Sequence, residues 1–167
     1  MTHRDSTAEE IVSLLKLEPH HLEGGFFLET YRSTRMIPSI NGDRACSTAI
    51  YYLLTDQTVS RMHRLPFDEM FHFYFGDPVE MLLLMPDGDG RVGLLGTDLS
   101  RGQRPQQLVP ARTWQGSRLC PGGRFALLGT TMSPGFDGSD FETGDREKLC
   151  ASYPAFGERI EALTPGG

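Results

Sequence analysis

Ser60-Arg61-Met62-His63-Arg64-Leu65-Pro66-Phe67-Asp68-Glu69-Met70-Phe71-His72-Phe73-Tyr74-Phe75-Gly76 reads as two β-strands around a short proline turn. Proline has no amide hydrogen to donate to a ladder, so Pro66 separates the two runs. In the second run Phe71, Phe73 and Phe75 alternate with His72 and Tyr74, the period of an extended chain. Alternation alone leaves open which set faces the core. Glu69 has the parity of the phenylalanines. It shares a pocket with His72 only if the strand bulges or if Glu69 belongs to the turn. His63, Glu69, His72 and Tyr74 can bind metal, move a proton or hold a hydroxyl, which makes this hairpin the first place to look for a site.

Further signals of the same kind flank the hairpin. Phe26–Arg32, Thr48–Leu54, Val59–Leu65, Met70–Phe75, Val79–Met85, Arg91–Leu95, Gln107–Val109, Thr113–Leu119 and Arg124–Thr130 are short β runs punctuated by Gly, Pro and Asp. The Thr48–Leu54 run is apolar enough to be buried on both faces. The connections are too short for crossover helices, so the pattern predicts a mainly β sandwich or barrel. Ser6 to Leu17 predicts the N-terminal helix, with capping boxes at Ser6/Glu9 and Thr7/Glu10 and a stripe of Ile11, Leu14 and Leu15. Beyond Met132 an acidic, aromatic loop (133–142) leads to short helices over Asp145–Ala151 and Pro154–Leu163.

The 167 residues are 38% hydrophobic and 23% charged, with a net charge of -6. They suit one domain spanning 1–167, with its helix at 6–17, a barrel at 26–132 and a C-terminal loop and helices at 133–164. With no stripe of Lys and Arg, nucleic acid is not an expected partner. Val79–Met85, interrupted by Glu80, is too short to cross a bilayer. The segment Met1–Ser6 lacks the apolar stretch of a secretory signal. Three cysteines without paired spacing read as small buried hydrophobes in a reducing compartment. The expectation is a cytoplasmic protein that does not enter membranes.

Several strings are turns rather than sites. Gly88-x-Gly90-x-x-Gly93 does not open a helix, and Pro86-Asp87-Gly88-Asp89-Gly90 is hairpin chemistry between two apolar strands. Adjacent His20 and His21 point opposite ways on an extended segment and read as surface or turn residues. Glu29 and Tyr31 share one face of their strand, with Arg32 on the other. Pro110 precedes a strand on which Trp114 and Gln115 take opposite faces. An inward Gln115 would need a partner, because a buried unpaired amide costs on the order of 1–3 kcal/mol.

Taken together these blocks resemble the cupin superfamily. Its first motif has His, His, Glu and Gly where this chain has His63, Leu65, Glu69 and Gly76. Its second has Pro, Gly and His where this chain has Pro110, Arg112 and Gln115. Within that superfamily the chain is similar to a small uncharacterised family sharing Glu23-Gly24-Gly25-Phe26-Phe27, Glu29-Thr30-Tyr31-Arg32, Asp68-Glu69-x-x-His72-Phe73, Val109-Pro110-Ala111 with Trp114-Gln115, and Pro134-Gly135-Phe136-Asp137.

The resemblance implies a double-stranded β-helix, a jelly-roll barrel holding a small molecule, usually as a homodimer. Such barrels include metal-dependent enzymes of the dioxygenase or decarboxylase type and metal-free epimerases of nucleotide-linked sugars. Leu65 and Gln115 replace two of the usual metal ligands, leaving His63, Glu69 and the weak ligand Gln115 for a weakly held divalent ion; no cofactor is required. The favoured reading is a binder of a nucleotide or nucleotide-linked sugar, with an epimerase or isomerase activity as its catalytic form. There His63 or His72 is the base and Tyr74 or Tyr31 returns the proton. Glu29, Tyr31, Arg61, Glu69, Trp114, Gln115 and Arg118 are the expected ligand contacts, with Arg32, Arg61 or Arg118 on a diphosphate.

Overall fold

The computed structural model describes residues 6–166; the reading of Met1–Asp5 as lacking a secretory signal lies outside them. Among the described residues there are thirteen strands and three α-helices. In chain order they are α1 (Ala8–Leu15), β1 (Glu18–Pro19), β2 (Phe26–Arg32), β3 (Met36–Ile37), β4 (Arg44–Ala45), β5 (Thr48–Thr55), β6 (Ser60–Arg64) and β7 (Glu69–Gly76). These are followed by β8 (Val79–Leu84), β9 (Gly90–Leu95), β10 (Gln106–Val109), β11 (Trp114–Leu119), β12 (Phe125–Met132), β13 (Glu142–Thr143), α2 (Arg146–Ser152) and α3 (Gly157–Ala162). All nine strands expected from the alternation are there; the four additions are two-residue pairings too short to carry a period.

The strands form a six-stranded sheet, β1-β2-β5-β12-β7-β10, and a five-stranded sheet, β13-β6-β11-β8-β9, while β3 and β4 pair as a separate hairpin. Every ladder pairing within these sheets is antiparallel. Sequence neighbours such as β6 and β7 sit in different sheets, which makes the fold a jelly roll rather than a meander.

Period-2 alternation sorts the apolar residues into three layers. Tyr52, Leu54, Phe71, Phe73, Met81, Leu83, Leu119 and Leu128 fill the space between the sheets. Leu53, Phe125 and Leu127, on the opposite face of the six-stranded sheet, pack under Ile11 and Leu17 at the N-terminal helix. Met62, Leu82 and Leu84, on the outer face of the other sheet, pack under Leu149, Tyr153, Ile160 and Leu163. Hence Thr48–Leu54 is apolar on both faces: Tyr52 and Leu54 serve the interior, Leu53 the helix. The helix itself starts at the second of the two capping boxes, with Thr7 and Glu10 bonded reciprocally.

Each central strand is apolar at one end and polar at the other on the inward face. On β7 the sequence is Glu69, then Phe71 and Phe73; on β12 it is Thr130, then Leu128 and Ala126; on β11 it is Gln115 and, at the far end, Leu119. The polar ends converge, and the site lies there.

Candidate functional site

A cavity of about 240 Å³ opens at the polar end of the barrel, lined by His20, Glu23, Phe27, Glu29, Arg32, Thr48, Ile50, His63, Leu65, Glu69, Thr130, Met132, Phe136, Asp137, Gly138 and Phe141. Its floor comes from β6 and β7, which the Pro66 turn carries from one sheet to the other instead of pairing as the hairpin expected from the sequence. His63 is 1% exposed and Glu69 7%. Glu69 keeps the parity of Phe71 and Phe73 because no bulge intervenes; the ladder irregularity on β7 lies further along, opposite Leu127 and Leu128. Gln115, directly opposite His63 on the neighbouring strand, is also buried. Its Nε2 donates to Glu69 Oε2 at 2.7 Å, which supplies the partner an inward amide needs.

The segment before β2 adds the other half. Gly24 and Gly25 adopt φ of 98° and 70°. A Cβ on Gly24 would collide with the Val59 carbonyl oxygen, so this close crossing requires glycine. The turn drops Glu23 into the barrel mouth, where its Oε1 accepts from Ser60 Oγ at 2.5 Å. Its backbone N–H donates to His20 Nδ1 at 3.0 Å. On the other wall His63 Nδ1 bonds the Arg61 carbonyl oxygen at 2.7 Å. The Nε2 atoms of His20 and His63 lie 3.9 and 4.0 Å from the same oxygen, Glu23 Oε2.

Burial sets the electrostatics. It pushes the Glu23 and Glu69 carboxyls above the ordinary carboxylate range, and for Glu69 the nearby Glu23 charge adds to the effect. It pulls His20 and His63 below the ordinary imidazole value. Phe141 stacks on His63 with centroids 4.7 Å apart and planes 13° from parallel, closing that ring off from water. Phe141 belongs to the loop after β12, which is stitched across the mouth by a bidentate Arg44–Asp140 pair at 2.8 and 2.9 Å, by Asn41 to Asp140 at 2.8 Å and by Arg32 to the Phe136 carbonyl at 3.1 Å.

A β-bulge between Glu29 and Tyr31 changes one expectation. The extra residue flips the alternation, so Arg32 joins Glu29 at the cavity wall in a two-point ion pair at 2.7 and 2.9 Å, and Tyr31 turns outward to 55% exposure.

Of the residues singled out from the sequence, His63, Glu69, Gln115 and Glu29 come together here, with Arg32. The others lie elsewhere. His72 is on the opposite face of β7, bonded to Thr131 Oγ1 at 3.0 Å and Gln106 Nε2 at 3.1 Å. Tyr74 follows it outward at 47% exposure, edge-on to Tyr51. Trp114 lies on the outer face of β11 under the Arg64 guanidinium, 4.4 Å from the ring centroid. Arg118 reaches Glu80 at 3.5 Å on that same outer side. Arg61 is exposed and donates to the His21 carbonyl oxygen at 3.4 Å. Sequence reasoning missed His20, Glu23 and Phe141. The signal was the Glu23-Gly24-Gly25 block: two glycines in a row mark a backbone forced close to another, and the carboxylate before them is carried inside.

The donor set at the four metal-ligand positions does not fit a transition metal. Leu65 has no lone pair, and the Gln115 amide and one Glu69 oxygen are bonded to each other. One imidazole nitrogen and one carboxylate oxygen remain, fewer than the three or four donors such ions take. Among the described residues, no group of three or more His, Cys, Asp or Glu side chains is arranged to hold a metal. Nor is any described helix long and apolar enough to cross a membrane.

Comparison with known proteins agrees with this fold. A solved structure of protein SO0799 from Shewanella oneidensis superposes with a TM-score of 0.88 at 36% identity, over 97% of this chain and 99% of that one. The uncharacterized protein YML079W of Saccharomyces cerevisiae is 32% identical over 135 residues, 72% of this chain and 67% of its own length. At the level of fold alone, a dTDP sugar isomerase from Desulfovibrio desulfuricans G20 is similar at 16% identity and a TM-score of 0.50, over 71% of this chain and 83% of that one. Bacillus subtilis oxalate decarboxylase is similar at 12% and 0.54, over 89% of this chain and 38% of that one. The model of the Cupin superfamily (DUF985) matches residues 9–144, and the chain belongs to that family.

Proposed function

We propose that the protein binds a small uncharged polyhydroxy ring, such as the sugar of a nucleotide-linked sugar, and isomerises or epimerises it without a metal. The observation that carries this reading is the cavity at the barrel mouth in which two imidazoles and two carboxyls face one another beneath an aromatic lid. At 240 Å³ it falls below the roughly 300–1,000 Å³ of pockets that take drug-sized ligands, so one ring fits. Four carboxyl groups (Glu23, Glu29, Glu69 and Asp137) line it against the single Arg32 guanidinium. Phosphate is therefore unfavourable inside. A diphosphate would lie outside, in the neighbouring cleft of about 530 Å³ that shares Leu65 and Phe141 with the cavity and holds Arg64 and Arg112.

His63 is the general base in this reading. Its buried ring stays neutral at pH 7, with Nδ1 occupied by the Arg61 carbonyl and Nε2 turned toward Glu23 in the cavity. The proposal includes a homodimer over the outer face of the six-stranded sheet, where Tyr31, Tyr74 and Leu108 are exposed; light scattering reads it directly.

A thermal-shift panel of free sugars, nucleotide sugars and nucleoside diphosphates tests the ligand class. A ligand at one hundred times its dissociation constant adds about 2.7 kcal/mol, which raises Tm by roughly 5–10 °C at this size. Sugars and nucleotide sugars are expected to shift Tm. A shift with nucleoside diphosphates alone would overturn the assignment of the sugar to the cavity.

A further inference from the structure

Two hydrogen bonds to the main chain decide what each cavity histidine offers a ligand. A backbone N–H only donates and a backbone carbonyl only accepts. His20 Nδ1 receives the Glu23 N–H at 3.0 Å, so that nitrogen carries the lone pair and the ring proton sits on Nε2. His63 Nδ1 meets the Arg61 carbonyl oxygen at 2.7 Å, so that nitrogen carries the proton and Nε2 is bare. Both Nε2 atoms lie within 4.0 Å of Glu23 Oε2. The rings are thus held in opposite tautomers around one carboxylate: a fixed donor on one side, a fixed acceptor on the other. Protonating His20 would set two N–H groups against each other at Glu23, so the ring acts as a neutral donor. Phe27, with its ring centroid 4.5 Å away, packs against it.

We propose that His20 is the electrophilic partner of His63, its Nε2–H directed at the carbonyl oxygen of a bound uncharged α-hydroxycarbonyl sugar whose adjacent C–H faces His63 Nε2. The assignment rests on the isomerase reading above and names its substrate class and its second catalytic group. Tyr31 and Tyr74 lie outside the cavity, so return of the proton falls to solvent or to His63 rather than to a tyrosine. In the step, His63 takes the proton from the carbon next to the carbonyl. The C–H electron pair becomes a C=C bond, and the carbonyl π pair moves onto oxygen, where His20 Nε2–H stabilises it. Return of the proton to that carbon restores the carbonyl. When solvent delivers it to the opposite face, the centre inverts and His63 releases its own proton to water. No oxidant or reductant is consumed.

Long-range ¹H–¹⁵N correlation spectra of the uniformly ¹⁵N-labelled protein at pH 7.5, assigned with His20→Gln and His63→Gln, read the tautomers without any ligand. His20 is expected as the Nε2–H form and His63 as the Nδ1–H form. In parallel, deuterium uptake by dihydroxyacetone and D-ribulose in D₂O reads proton abstraction, with glycerol as the control lacking a carbonyl. Wild-type protein should accelerate uptake, His63→Gln should abolish it, and His20→Phe should slow it by about 10²–10³-fold. His20→Gln, which keeps an acceptor for Glu23 N–H and an amide donor, should recover part of that loss and guards against a folding defect in the phenylalanine variant. Like tautomers, or an imidazolium at either position, with exchange intact would overturn the role of His20 alone. Opposite tautomers without exchange on either probe would remove the isomerase reading and the catalytic role of His20 together.

Discussion

His20 and His63 come from opposite walls of the barrel, yet their Nε2 atoms lie 3.9 and 4.0 Å from one oxygen of Glu23. Each ring is held through Nδ1 by a main-chain group two or three residues away, the Arg61 carbonyl for His63 and the Glu23 N–H for His20, and packed by a phenylalanine. The placement of the two rings thus depends on the turn at Glu23 and on β6, so changes in the backbone near Glu23 or Arg61 will reach them.

Gln115 exists to serve Glu69. Replacing it with Leu leaves Glu69 Oε2 buried without its 2.7 Å donor. Gln115→Leu should lower stability by about 1–3 kcal/mol in a urea titration. The Glu69 pKa should rise further, since one of the bonds that holds it down is gone.

The lid is held by Arg44 and Asp140. The Arg44 guanidinium keeps the Asp140 carboxyl below its ordinary value. Its unfolded value is about 3.9. A depressed folded pKa means that the unfolded chain takes up the proton first, so the contribution of Asp140 is complete above that value and is lost as the pH falls through the folded pKa. The stability gap between the wild type and Asp140→Asn should therefore be constant near neutrality and close in acid. Chemical denaturation across pH 2.5–7 reads it; a gap that widens in acid would contradict the assignment.

Phe141 keeps water from His63. Burial is the largest cause of the lowered His63 pKa, and Phe141 lies flat on that ring. Phe141→Ala should move the pKa of His63 up toward about 6.5, its unperturbed value. A histidine with a lowered folded pKa destabilises the fold as pH drops below the unfolded value, so the variant should also lose part of that acid sensitivity. An NMR titration of the His63 ring checks the first, and urea denaturation of both proteins across the same pH range checks the second.

The metal-ligand positions can be refilled. Wild-type protein should retain no stoichiometric divalent ion after dialysis, because the four ligand positions offer one imidazole and one carboxylate oxygen, and His20, whose Nδ1 accepts the Glu23 N–H, turns a protonated Nε2 to the cavity. Leu65→His combined with Gln115→His restores two imidazoles beside His63 and Glu69, and should retain Mn²⁺ or Zn²⁺ measurable by elemental analysis. Chelator should lower the Tm of the double variant and leave that of the wild type unchanged.

The amino-acid sequence by itself determined the nine long strands, the capped N-terminal helix and the membership of Glu69 in the phenylalanine face. These follow from local period and capping chemistry, which need no partner. The inward face of β7 is another matter. Alternation defines two faces but does not say which one another sheet will cover, and the second sheet put Phe71, Phe73 and Glu69 inside with His72 and Tyr74 outside. One extra residue at Thr30 moved Arg32 to the cavity and Tyr31 away from it, a shift that strict alternation misplaces. His20 and Glu23 entered the barrel because Gly24 and Gly25 take positive φ and let the chain pass close to the Val59 carbonyl. Only tertiary structure decided those three outcomes, since each depends on contacts between segments tens of residues apart, where local propensity carries no information.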